Sequence, residues 1–344
     1  MYFAILWKNP EISMVELQLV QAKEISYPKK GIVIFDTKYP QLLGQLWGCI
    51  KIGTVVKEKD LQELLAEVKI IGIQNEANGK HLKRTVGIRR YKLVDIFHTD
   101  KEIKNKGKEI INLENGLYGI VEWYQNIELY EAVDFGKPGR SMGMGMMPAK
   151  LAHILINIWL KEVIENWKLE IENLCIYDPF VWSWTTWLLA NYLGYDFVWS
   201  DIKTNYAEQN ATRWKSTKFY EAKNTFDVFT HNITKKLENE LVKKDLLIVT
   251  EGWLGPIVTK STSSQDIQKF QEQVLQLYKS FLERIQELWW TTAVFTIPYY
   301  AGQNNSLEQN ISDYWTKIGL HIQGIPEIYG REWQQIGRKI MIVK

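Results

Sequence analysis

Cysteine is nearly absent from this chain. Cys49 and Cys175 are the only two, far apart and each set in an apolar run. That excludes a disulfide framework and a cysteine-rich zinc site, and it fits a reducing cytoplasm. Histidine is scarce as well: His81, His98, His153, His231 and His321 show no metal-ligand spacing, so no metal is expected. No stretch approaches the ~20 apolar residues of a membrane span. The opening MYFAILWKNPEIS lacks the basic start, long apolar core and small-residue cleavage site of a signal peptide. Neither sign of charge dominates. At a net +2 the whole-chain balance does not announce nucleic acid, and any such contact must come from a local patch. No fixed-period repeat is present, which excludes a solenoid.

One residue is in excess. The chain holds 15 Trp against 12 Phe, although tryptophan is normally the rarest aromatic. With 344 residues and 46% hydrophobic content there is enough chain for two domains, each with its own core.

The first part, residues 1–125, reads as an α+β module. MYFAILW is strand-like. NPEISMVELQLVQA is a helix with Pro10 in its first turn, and GIVIFDT and the QLWGCIKIGTVV region are strands. DLQELLAEVK is helical, TVGIRRYKLVDIF mostly strand, and TDKEIKNKGKEIINL a charged helix followed by a strand. Strands return at GLYGIVEWYQNIELYEAV. The densest basic stretch is here, KHLKRTVGIRRYK, with Lys80, Lys83, Arg84, Arg89, Arg90 and Lys92. Spacing leaves two readings open: a solvated charged face, or a phosphate-contacting side of a sheet suited to an RNA backbone.

Residues 126–148 include GKPGRSMGMGMMP, where glycine, proline and methionine replace periodicity, so a linker or ordered loop is expected. From 149 to 344 strands and helices alternate: strand Leu174–Asp178, helix Thr186–Leu193, strand Asp196–Asp201, helix Asn205–Trp214, strands Phe226–Thr230 and Asp245–Thr250. Helix Ser264–Leu288, strand Thr291–Ile297, helix Leu307–Ile318 and a closing strand pair follow. This alternation predicts an α/β, Rossmann-like, mostly parallel sheet with its ligand at the carboxyl ends of the strands.

The organising stretch is IYDPFVWSWTTWLLANYLGYDFVWSDI, residues 176–202. Asp178 ends a strand and Asp201 ends the next, where an acid can accept hydrogen bonds from ribose hydroxyls. Singly, Asp178 reads as a helix-cap partner and Asp201 as a solvated strand-end acid; together, at this spacing, they point to a ligand. The loop between them lacks the glycines that a close backbone approach needs. There is no G-x-G-x-x-G and no phosphate-loop lysine, so a nucleoside without pyrophosphate fits better than NAD or ATP.

DPFVWSWTTWLLANYLGYDFVWSDI resembles the motif DPFxGSGTTGLLxxxxGxxxxGSDI of S-adenosylmethionine-dependent methyltransferases. GKPGRSMGMGMMPAKLAHILIN, FAILWKNPEISMVEL, LWGCIKIG and YGREWQQIGRKI resemble the branch that methylates guanosine exocyclic amines in tRNA and carries an N-terminal THUMP domain. The THUMP core is shortened between Asn112 and Tyr118. The resemblance implies a class I methyltransferase domain behind a THUMP-like RNA-binding module. It also implies S-adenosylmethionine as cofactor and RNA, specifically tRNA, as partner. By position, Asp178, Phe180, Trp182, Ser183, Trp184 and Thr185 would cradle the methionine end, Asp201 the ribose, and Asn232 the adenine edge. The family's Asp/Asn-Pro-Pro-aromatic motif is replaced by Thr250-Glu251-Gly252-Trp253-Leu254-Gly255-Pro256. Glu251 would then orient the amine and Trp253 would stack on the base. Two other readings remain: an inactive methyltransferase fold that binds RNA, and a DNA amino-methyltransferase.

The resemblance also accounts for the tryptophans. Family glycines coincide with Trp7, Trp47, Trp123, Trp182, Trp184, Trp187, Trp199 and Trp333, while the flanking residues match. Random mutation would not do this at motif after motif. The expectation is a decoding artefact, in which a UGA codon that the host reads as glycine is rendered as tryptophan. The chain as read is expected to keep the fold with a crowded cofactor loop.

Overall fold

The computed structural model describes residues 1–344 except 99, 140–145, 167–174, 182–183, 203–204, 237–245, 288–291, 331–333 and 344. Two compact units are present, Met1–Asn126 and Ile127–Lys344.

The first unit runs β1 (Tyr2–Leu6), α1 (Pro10–Leu17), β2 (Lys23–Lys29), β3 (Ile32–Asp36), β4 (Cys49–Lys57), α2 (Leu61–Leu64), β5 (Ile71–Ile73) and α3 (Glu76–Thr85). It continues with β6 (Tyr91–Leu93), α4 (Lys101–Lys106), β7 (Lys108–Glu114) and β8 (Leu117–Tyr124). Its sheet has the order β2-β3-β1-β4-β8-β7-β5-β6, antiparallel except where β5 lies parallel to β6 and β7. A buried ion pair crosses this sheet. Lys51 Nζ lies 2.7 Å from Glu109 Oε1, both side chains fully buried, and also donates to the carbonyls of Asp95 and His98. Burial pulls the lysine pKa down and pushes the glutamate up.

The basic stretch departs from its strand reading. Residues up to Thr85 belong to α3, and only Tyr91–Leu93 is strand. The helix forms because Asn75 caps it, accepting from the amide of Asn78, and because Leu82 buries its inner face. Gly79 lets the Tyr91 ring lie against the helix, since a Cβ there would stand 2.6 Å from that ring. Of the six basic residues, Lys80 pairs with Glu76, and Lys92 pairs with Asp100 and Glu102. Lys83, Arg84, Arg89 and Arg90 are exposed, with no side-chain partner among the described residues. They lie on a helix and the loop after it, not on one side of a sheet.

The second unit opens with α5 (Ile127–Phe135), inside the span expected to be linker and partly read as strand. Its buried residues, Leu129 and Val133, stand four apart, which is helical and not strand periodicity. Then come α6 (Ala149–Asn166), β9 (Cys175–Asp178), α7 (Thr185–Leu193), β10 (Asp196–Asp201), α8 (Asn205–Lys215), β11 (Phe226–Thr230) and β12 (Leu246–Thr250). The unit closes with α9 (Ser264–Glu287), β13 (Ala293–Tyr300), α10 (Leu307–Lys317), β14 (Ile322–Tyr329) and β15 (Ile336–Val343). The sheet order is β11-β10-β9-β12-β13-β15-β14, and only β15 runs antiparallel to its neighbours. This is the mostly parallel, Rossmann-like α/β architecture expected from the alternation. Helix α9 turns Val274, Tyr278, Phe281, Leu282 and Ile285 onto the sheet, a spacing that forms one apolar stripe.

Asn191, buried at the end of α7, ties the loop after α8 to the fold. Its amide nitrogen donates to the Glu221 carbonyl at 2.7 Å, and its oxygen accepts from Trp214 Nε1 at 2.8 Å and the Glu221 amide at 3.1 Å. Asn191→Ala leaves the buried Trp214 N–H and the half-buried Glu221 backbone groups without this partner, so a loss of about 1–3 kcal/mol is expected in denaturant titration.

Candidate functional site

Strand β9 lies between β10, reached by the next connection, and β12, reached later. The chain order reverses at this point, and sheets of this kind bind their ligands outside the carboxyl ends of the strands at such a reversal. Asp178 ends β9, Asp201 ends β10, and Thr250 ends β12 with Glu251 directly after it. Thr250 Oγ1 donates to Asp178 Oδ1 at 2.6 Å, and the Phe180 amide donates to the same oxygen at 3.0 Å. The register sets Trp199 of β10 beside Asp178.

Asp178 is 2% exposed, and burial pushes its carboxyl up to about 6. Its folded pKa therefore exceeds the unfolded value of about 3.9. The stability linked to its proton is full below pH ~4 and lost as pH rises through about 6. Asp178→Asn, which cannot ionise, is expected to match the parent at pH 4 and exceed it by up to about 3 kcal/mol at pH 8. Denaturant titrations at the two pH values check this.

The loop entering α7 is crowded. Trp184, Trp187 and Trp199 are each at most 1% exposed. Trp184 sits in the left-handed region at φ 65°, a conformation that disfavours any residue with a Cβ. Its ring centroid lies 4.5 Å from that of Trp187 and 3.9 Å from that of Trp199, with interplanar angles of 78° and 70°. Edge-to-face aromatics normally stand about 4.5–7 Å apart, so the Trp184–Trp199 pair is compressed. The indole N–H groups of Trp184 and Trp199 find no partner among the described residues, although Trp159 and Trp315 share that feature. Trp214 is the contrast, stacked on Phe219 with its N–H satisfied by Asn191. Trp182 and Ser183 lie outside the described residues.

The other positions separate. Thr185 is buried, and its hydroxyl is already held: it accepts from Lys137 Nζ at 2.6 Å and donates to the Met147 carbonyl at 3.1 Å. Phe180 packs edge-on to Phe281, 5.4 Å between centroids. Asn232 is exposed and its oxygen accepts from Thr234, leaving its amide nitrogen for a ligand edge. The His231 amide donates to the Asp201 carbonyl at 3.0 Å, which keeps that turn beside the acid. Trp253 is 39% exposed next to Gly252, where φ is +70° and a Cβ would meet the Tyr278 hydroxyl at 2.1 Å.

Glu251 is held by a residue that the motif did not signal. Arg338, in β15, donates through Nε to Glu251 Oε1 at 2.6 Å, and both side chains are nearly buried. Burial raises the Glu251 pKa, while Arg338 first and Lys137 second oppose the rise. Arg338 also approaches the Met146 carbonyl at 3.5 Å, Ala149 is bonded to Asp134, and Gly139 to Asn210. The described part of the 134–149 segment is thus packed on its own unit, not loose. Two signals in the sequence could have found these groups. Arg338 is a lone guanidinium in the apolar run of β15, where burial demands a partner, and Lys137 stands among the loop glycines.

No family model and no curated relative matches the chain. A "possible methylase" from Clostridium difficile 630 is similar in structure over 99% of this chain and 97% of its own, at 11% identity and a TM-score of 0.45. Magnesium protoporphyrin IX methyltransferase from Synechocystis PCC 6803, with bound SAM, is similar over 63% of this chain and 94% of its own. That match has 13% identity and a TM-score of 0.38. Identities this low leave every residue role to this chain's own geometry. Among the described residues, no helix is long and apolar enough to cross a membrane, and no group of three or more His, Cys, Asp or Glu could hold a metal ion.

Proposed function

We propose that the second unit is an S-adenosylmethionine-dependent methyltransferase acting in the cytoplasm on a guanosine exocyclic amine of tRNA, with the THUMP-like first unit holding the RNA. The observation that carries this reading is the meeting of Asp178, Thr250 and Glu251 where the strand order reverses, with Asp201 one strand away. These acids fit the cofactor: Asp201 suits ribose hydroxyls, and buried Asp178 suits a cationic amine. Trp184, Trp187 and Trp199 as read do not fit it, because their rings fill the space at the start of α7. We take these three positions, and Trp182 with them, to be glycine in the cell.

The chain's own contribution is placement. The carboxylate of Glu251, paired with Arg338, accepts hydrogen bonds from an amine and so fixes the direction of its lone pair. Trp253, exposed beside it, offers a face for a base, unless it too is a misread glycine. A second reading follows if the tryptophans are real: an RNA-binding protein whose methyltransferase fold is inactive, which the filled loop favours. Nucleoside mass spectrometry of tRNA from a deletion strain tests the proposal. Loss of one methylguanosine is expected, and an unchanged methylguanosine content would overturn the choice of substrate.

A further inference from the structure

A cleft of about 340 Å³ opens in the first unit, between β2, β7 and the start of α3. Ligand pockets span about 300–1,000 Å³, so this one suits a single small group. Its walls are apolar: Ile32 and Ile111 are 1% exposed, and Val94 and Ile96 complete them. Its polar groups are carboxamides with free edges. Gln74 gives its amide nitrogen to the Ile110 carbonyl and keeps its oxygen free. The oxygens of Asn75 and Asn78 are taken by the Asn78 amide and by Asn112 Nδ2, and both amide nitrogens stay free. None of these free atoms has a partner among the described residues.

The charges here offset each other. Lys29 is held by the Asn112 carbonyl at 2.8 Å and stands 3.8 Å from Glu114, while Asp95 lies at the rim. An ionic ligand gains little from such a site. The wall is held in place, because the buried Lys51 ammonium donates to the Asp95 carbonyl at 2.9 Å and the His98 carbonyl at 2.8 Å. Apolar walls around two free amide donors and one free acceptor match a flat neutral heterocycle with a hydrogen-bonding edge.

We infer that this cleft binds a nucleobase. The inference rests on the proposed RNA-holding role for one of two sources, an unpaired base of a strand whose phosphates meet the open Arg84, Arg89 and Arg90. The other source is a free nucleoside. The test uses the full chain. Anisotropy with a labelled mixed-sequence single-stranded RNA measures strand binding, and saturation-transfer NMR with the four ribonucleosides measures free-base binding. The variants are Asn78→Ala, which removes a free donor, and Ile96→Trp, which fills the cleft; thermal unfolding confirms that each folds. Loss of one base contact is expected to weaken strand binding about tenfold, with the salt dependence unchanged. Arg84→Ala with Arg89→Ala should instead lower the salt dependence. Nucleoside signals that vanish in Ile96→Trp, without any strand affinity, would support a free-nucleoside site and count against the RNA reading of the first unit. Strand binding unaffected by both cleft variants, with no nucleoside signal, would overturn the inference.

Discussion

With glycine at 182, 184, 187 and 199, the chain is expected to bind S-adenosylmethionine at least about a hundredfold more tightly than the chain with tryptophan there, a difference of roughly 2.7 kcal/mol or more. Two physical effects act together. Trp184 holds a left-handed backbone at φ 65° that glycine adopts without penalty. Its ring is pressed between those of Trp187 and Trp199, at 4.5 and 3.9 Å, where the strand ends should leave room for a ligand. Removing the indoles also removes buried apolar area, so the unliganded glycine form is expected to be the less stable of the two. The cofactor should raise the unfolding temperature of the glycine form and leave that of the tryptophan form unchanged. Calorimetric titration alongside thermal unfolding measures both. Trp315→Gly is the control. That ring is fully buried in α10 within the core of the second unit, and its loss should destabilise the chain without creating any ligand response.

Arg338→Met is expected to lower the unfolding free energy by about 3–5 kcal/mol, because it strands a buried carboxylate. Glu251 and Arg338 are 2.6 Å apart, with side chains 10% and 7% exposed, so water screens neither. The double variant Glu251→Gln with Arg338→Met should recover much of this loss, since no charge is then left buried alone. In the glycine form, Glu251→Gln is expected to slow methyl transfer by about 10²–10³-fold, because the amide accepts hydrogen bonds more weakly than the carboxylate and presents a donor to the amine. Arg338→Lys keeps the charge and should lose less. Equal rates for Glu251→Gln and its parent would remove Glu251 from the reaction.

Much of the second unit was legible because buried parallel strands and amphipathic helices write different periods, and α7, β10 and α9 stand close to their expected ranges. Asp178 and Asp201 were legible for the same reason: they sit at strand ends, which the apolar runs mark. Arg338 is marked only as a guanidinium in an apolar run, and its partner was not legible, because Glu251 is 87 residues away and only the antiparallel insertion of β15 next to β13 brings the two together. The strand read over Thr85–Phe97 is shorter than expected because Val86 and Ile88, two apart, suggest alternation, whereas α3 runs to Thr85, a loop follows, and only Tyr91–Leu93 pairs as strand. The buried Lys51–Glu109 pair left no mark in the sequence, since two charges 58 residues apart look like two surface residues.

The most direct measurement is a peptide mass spectrum of the protein taken from its own host, covering residues 181–199. Glycine at 182, 184, 187 and 199 is the predicted result, with flanks as read. Tryptophan at those positions would contradict it, and would leave a methyltransferase fold whose cofactor loop is closed by its own side chains.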